Sequence, residues 1–144
     1  MGRALILSSA IGPLSAASAT NALAEGWSER WQVAVLPTVA AAQTAAEVAA
    51  QLRAEPALSA ADLVVVGCDC FDFATRGGPL VQGIAEVCLQ RQLPCLVFAL
   101  EVNVSLRELR TFGLEEAHRI DPGPLPSAVV ATATRIAAGW SSSG

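Results

Sequence analysis

The feature that most constrains this chain is a regular alternation of short apolar runs with longer stretches of helical spacing. The runs "ALILS" (4–8), "QVAVL" (32–36), "DLVVVG" (62–67) and "PCLVFAL" (94–100) are aliphatic and lack polar alternation. Strands of that kind are covered on both faces. A fifth, "EAHRI" (116–120), reads as a short edge strand. Parallel strands must be joined by crossovers, and a helix after every strand supplies them. The pattern therefore predicts a three-layer α/β domain of the Rossmann-like or flavodoxin-like kind, with a parallel sheet of about five strands and helices on both faces.

The helices carry their own punctuation. The stretch 15–26 has Ser15 as N-cap and Gly26 as its stop; 39–54 is alanine-rich and strongly helix-prone. Leu80, Ile84, Val87 and Cys88 form an apolar stripe. Ser105 and Glu108 make a capping box for a helix ended by Gly113, "DPGPLP" (121–126) is a rigid turn, and 127–139 is the last helix. One domain over 1–139 follows, with segments 1–54 and 61–139 joined by 55–60 and a loose tail at 140–144.

Composition limits the chemistry. The chain has 144 residues, is 53% hydrophobic and has a net charge of −4, which argues against disorder and against an electrostatic nucleic-acid binder. All nine basic residues are arginine, there is no tyrosine, and His118 is the only histidine. Without lysine, a Schiff base, a P-loop lysine or a lysine phosphate clamp is ruled out. Of the four cysteines, Cys88 and Cys95 fall on core positions, and all four read as free thiols in a reducing compartment. A thiol sensor built on Cys68 and Cys70 is the alternative and requires a depressed thiol pKa. The start "MGRALILSSAIGPLSAASA" imitates a secretory signal, but its apolar run is broken early by serines and Gly-Pro. No stretch reaches the roughly 18 apolar residues of a membrane span. A soluble, cytoplasmic protein is expected.

In folds of this class ligands bind at the carboxyl ends of the strands. The functional rim is therefore 8–14, 37–44, 67–79 and 100–105. Its densest segment, "GCDCFDFATRGGP" (67–79), holds Asp69, Asp72, Cys68, Cys70, Arg76 and three glycines.

Three rim segments, in order, resemble one family, the glycerate kinases that phosphorylate glycerate with ATP. "RALILSSAIGPLSAASATNALAEGW" is similar to that family's first strand, Gly-x-Leu-Ser-Ala turn and first helix. "VAVLPTVAAAQT" lies where the family has a proline and an acidic, glycine-rich turn. "ADLVVVGCDCFDFATRGGPLVQGIAEVCLQRQLPCLVFALEVNVSLRELRTFGLEEAHRI" follows its carboxy-terminal segment almost without gaps. The family inserts a second lobe where this chain has only "RAEPALSA" (53–60), so the resemblance implies a Rossmann-like lobe alone, with half of the interlobe cleft absent.

The resemblance also implies altered rim chemistry. Ser8 and Ile11 stand where the family usually has an aspartate and a lysine. Ala40, Ala41, Ala42 and Gln43 replace an aspartate, two glycines and a glutamate. Cys68 and Cys70 replace an acid and an arginine, and Pro79 a lysine. Gly67, Asp72, Thr75, Gly78 and Gly83 persist. Phosphoryl transfer is catalysed mainly by positioning and by positive charge on the phosphate oxygens. Each lost electrostatic donor costs roughly 10² or more in rate. The expectation is a catalytically defective relative without cofactor, acting as a binding or assembly module in a homo-oligomer or with a partner protein. The alternative is residual ATP or glycerate binding with Mg²⁺, or a kinase half-site completed by another chain.

Each candidate has a structural alternative. Asp72 is a vestigial base or metal ligand, or the cap of its own loop; Asp69 stands in the same position. Arg76 contacts an anion, or is a solvated loop arginine. Ser8, Ser9 and Gly12, ahead of a helix, offer backbone amides to an anion, with Gly67, Thr75 and Gly78 completing a ligand set. Loss of a lobe leaves Ile11, Val39, Ala41, Phe71, Phe73, Val102 and Val104 as apolar rim for a protein contact, with Trp27 and Trp31 as aromatic anchors or one of the two as core.

Overall fold

The computed structural model describes residues 2–36 and 44–141. Five parallel strands form one sheet: β1 (Arg3–Ser8), β2 (Gln32–Val35), β3 (Leu63–Asp72), β4 (Cys95–Asn103) and β5 (Glu116–Arg119). Their order is β2-β1-β3-β4-β5, the flavodoxin-like doubly wound order. The expected α/β fold with helices on both faces is present, and β5 is an edge strand as expected.

Residue alternation in the central strands fills both faces. Leu5, Leu7, Val64 and Val66 point into a core closed by α2 (Ala45–Arg53), α3 (Pro56–Ser59), α4 (Pro79–Arg91) and α5 (Leu106–Thr111). Ala4, Ile6, Leu63 and Val65 point the other way, against α1 (Ala16–Trp27) and α6 (Ser127–Ser141). Each large side chain removed from water there contributes about 1.5–3 kcal/mol, and Trp27, Phe71 and Phe98 are among the fully buried ones.

Local signals place most helix ends. The Ser15 hydroxyl accepts from the N–H of Ser18 at 3.1 Å and starts α1. The Ser105–Glu108 capping box starts α5. Thr44 caps α2, accepting from the Glu47 N–H, so that helix begins at Ala45; the earlier part expected from residue 39 falls on 37–43, outside the described residues. The joint at 55–60 contains the one-turn α3, with Pro56 at its first position and the Glu55 carboxylate taking the Ala57 N–H.

Three expectations are corrected. Gly26 does not stop α1, which runs to Trp27; it is a buried contact, because a Cβ there would lie 2.5 Å from the Ala133 Cβ of α6. The last helix continues to Ser141, so the tail does not begin at 140, and the Trp140 indole donates to Glu116 at 3.2 Å. The strand expected to end at Gly67 runs on to Asp72, because β4 also continues and pairs with it from Cys68↔Ala99 to Asp72↔Asn103.

Candidate functional site

In the order β2-β1-β3-β4-β5 the connections from β1 and β3 leave to opposite faces, which makes the crevice between their carboxyl ends the ligand position of the fold. β1 stops at Ser8, paired with Gly67, whereas β3 projects five residues further. The candidate residues Ser8, Ser9, Gly12, Gly67 and Asp69 do meet there.

That crevice is bridged by the chain itself. The N–H of Ser9 donates to the Gly67 carbonyl at 3.0 Å, and its hydroxyl to the same oxygen at 3.2 Å. Ser8 is buried, its hydroxyl donating to the Ser9 carbonyl at 2.7 Å. Gly67 has no room for a side chain, since a Cβ would run into the Ser8 hydroxyl. Beyond them the N–H of Gly12, a residue at φ +53°, donates to Asp69 Oδ1 at 2.8 Å. One amide that would face an anion is thus taken by a carboxylate from β3.

Asp72 is similarly engaged. Its Oδ1 accepts from the Thr75 N–H at 2.8 Å and the Thr75 hydroxyl at 2.9 Å. Those bonds hold its carboxyl below the ordinary 3.8. The chain then turns through Arg76, Gly77 and Gly78, all at positive φ, into α4. Arg76 is the non-glycine residue of the three, at φ +50°, and the Arg76 N–H bonded to the Asp72 carbonyl at 2.8 Å fixes it there. Its guanidinium lies 4.8 Å over the Phe112 ring rather than over the crevice. Gln82 ties the loop from below, donating to the Thr75 carbonyl at 2.6 Å.

The thiols are not activated. Burial, with Cys70, Asp69 and Asp72 nearby, pushes Cys68 up to about 12. Partial burial and the Asp72 carboxylate, 3.6 Å from its sulfur, raise Cys70 above the ordinary 9.0. A thiol sensor requires the opposite shift, so the surroundings of both thiols run against that reading. Among the described residues no group of three or more His, Cys, Asp and Glu has the arrangement of a metal site.

The apolar rim is also corrected. Ile11 and Phe71 are fully buried, and Val102 and Val104 pack partly into the core; Val39 and Ala41 lie outside the described residues. Trp27 is core, edge-on to Phe98, and cannot anchor a partner. Trp31 is half-buried against it at the amino ends of the strands, away from the rim. Phe73, at 55% exposure, is the one of these aromatic candidates left in solvent. His118 bonds Glu116 at 2.6 Å within the edge strand β5, which β4 separates from β3. Sequence reasoning missed Phe112, which carries both Arg76 and Phe73, and Glu101, brought beside Cys70 by the extended β4. Ala40 to Gln43, the altered second turn, fall outside the described residues. No helix among the described residues is long and apolar enough to cross a membrane.

The model of the glycerate kinase family matches residues 33–138, more than two thirds of the chain. The match spans β2 to α6 and leaves out the first strand, its turn and the first helix, so the resemblance stated for residues 3–27 lies outside it. No curated protein matches the chain.

Proposed function

The chain belongs to the glycerate kinase family, and we propose that within it this protein is a catalytically inactive binding or assembly module. One observation carries the reading: the crevice at the β1/β3 switch is closed by the chain's own carboxylate, Asp69 on the Gly12 amide. A nucleotide phosphate at that place would have to displace Asp69, on a strand end that carries two more acids, Asp72 and Glu101, beside Cys70. The cation of the β3–α4 loop, Arg76, is held over Phe112. Phosphoryl transfer needs positive charge on the phosphate oxygens, and of the β3–α4 loop's own groups Arg76 is turned away while Asp72 already spends its Oδ1 on Thr75. Among the described residues, those at the crevice do not fit Mg²⁺-nucleotide.

Native mass spectrometry of the protein purified gently from its host, with and without Mg²⁺-ATP or glycerate, tests the reading. The expected result is mass in excess of one chain that nucleotide does not change. Nucleotide bound to a single chain, and lost in Asp72→Ala, would overturn it in favour of a residual kinase half-site.

A further inference from the structure

The register Arg3↔Gln32 and Leu5↔Ala34 places these four residues on the sheet face that carries Leu5 and Leu7 into the core. Across from β2 on that side stands α3, a single turn whose Leu58 is spent in the core. α3 and the two residues after it turn only alanines toward the sheet here: Ala57, Ala60 and Ala61. Side chains so small leave a cavity of about 300 Å³, with Leu5 and Ala34 on the sheet side. Its polar end lies at Arg3 and Gln32, the first residues of β1 and β2, at the opposite end of the strands from the crevice.

The lining holds one charged group. Arg3 Nε donates to Gln32 Oε1 at 3.2 Å, which orients the guanidinium and leaves the Gln32 amide nitrogen as a donor. Among the described residues the Arg3 guanidinium has no carboxylate partner. No Asp or Glu lines the cavity. Glu55 and Asp62, which flank α3, are each bonded to a backbone N–H, that of Ala57 at 3.3 Å and that of Arg3 at 3.0 Å. The polar end thus presents donors and one positive charge, and the walls are aliphatic. Apolar walls with a few convergent polar groups are the makings of a small-molecule site. A guanidinium fork beside an amide is the complement of a carboxylate.

We infer that this cavity binds a small amphipathic carboxylate, a short-chain aliphatic acid. Its chain lies among Leu5, Ala34 and the three alanines, and its carboxylate is held by Arg3 and Gln32. The site is separate from the crevice and independent of the assembly reading.

The test is an amide NMR titration of the full chain with sodium butyrate, pentanoate and hexanoate, with hexylammonium and hexanol as comparisons. Hexanoate should shift the amides of residues 3–5, 32–34 and 57–61, and bind at least about tenfold more tightly than either comparison. Each added methylene should tighten binding about two- to fourfold, as a chain leaving water does. Arg3→Gln should weaken hexanoate about tenfold or more and leave hexanol unchanged. Ala60→Phe should fill the cavity and abolish binding, and Arg110→Gln, outside the lining, should change nothing. Arg3 and Ala60 are exposed, and circular dichroism checks that the variants fold. Equal binding of hexanoate, hexanol and hexylammonium would overturn the inference, as would indifference to Arg3→Gln or to Ala60→Phe. So would shifts centred elsewhere in the fold, or no saturable shift by about 10 mM hexanoate, well past a millimolar dissociation constant.

Discussion

The Asp69 carboxylate and the Gly12 amide, 57 residues apart in sequence, are joined by a 2.8 Å hydrogen bond across the carboxyl ends of β1 and β3. This bond links the β1–α1 turn to the free edge of β3, where no strand from β1 continues. A hydrogen bond to a charged group contributes about 1.5–3 kcal/mol when shielded, and exposure reduces that. Asp69→Ala should therefore lower unfolding stability by about 0.5–1 kcal/mol, with Asp69→Asn losing less because its amide oxygen still accepts. Urea unfolding midpoints check this; an unchanged midpoint in Asp69→Ala would show the bond contributes nothing.

Asp72 has the clearest acid-range signature. The Thr75 N–H, then the Thr75 hydroxyl, stabilise its charged form and lower its pKa from 3.8. A lowered folded-state pKa contributes stability that is complete above the unfolded value near 3.8 and is lost as pH falls through the lower folded value. The stability profile should thus steepen below about pH 4, and Asp72→Asn should flatten that limb. Thr75→Ala removes the hydroxyl but keeps the N–H, so a carboxyl carbon NMR titration should place Asp72 between its wild-type value and 3.8. An Asp72 titration that Thr75→Ala does not move would refute this assignment.

The sheet and its layers were legible because buried parallel strands leave continuous apolar runs, as in "DLVVVG", and because Ser15, Ser105 and Glu108 cap through local chemistry. The end of β3 was not legible. The residues after Gly67 alternate polar and apolar and include a glycine pair, which reads as loop; strand geometry is imposed by the equally extended β4, a nonlocal partner. The same limit explains the rim. Asp69, Asp72, Ser8 and Ser9 stand out as candidates in the sequence, yet that both acids are spent, on Gly12 and Thr75, is visible only in three dimensions. Of the two tryptophans Trp27 is the core one, and Phe71, expected on the apolar rim, is core too, because an aromatic beside a loop has the same sequence signature whether it faces solvent or core.

Cysteine reactivity follows from the raised thiol pKa values. Thiolate, the nucleophile, is disfavoured at Cys68 by burial and at Cys70 by partial burial and Asp72. Cys88 and Cys95 are buried, and Cys95 is raised well above 9.0 by its hydrogen bond to Cys88 and by burial. Under native conditions, alkylation should be slow and confined to Cys70, with a rate still rising above pH 9. Asp72→Asn should accelerate it by removing the neighbouring negative charge. Mass spectrometry of iodoacetamide-treated protein reads this directly, and rapid labelling at pH 6 would contradict it.

Two helix contacts depend on the absence of a side chain, and a third glycine provides the control. A Cβ at Gly26 would lie 2.5 Å from the Ala133 Cβ and 2.8 Å from the Val130 carbonyl oxygen. One at Gly83 would lie 2.6 Å from Val48 Cγ1 and 2.8 Å from the Ala45 carbonyl oxygen. Backbone on the far side of each contact cannot give way without separating α1 from α6 or α4 from α2. Gly26→Ala and Gly83→Ala should each destabilise by about 1–3 kcal/mol, the usual cost of overpacking. At Gly139 of α6 a Cβ meets no described atom within 4 Å, so Gly139→Ala should stabilise by about 0.5–1 kcal/mol through helix propensity alone. Thermal unfolding of the three variants separates the effects. A neutral Gly26→Ala would mean that α1 and α6 do not pack at the separation described.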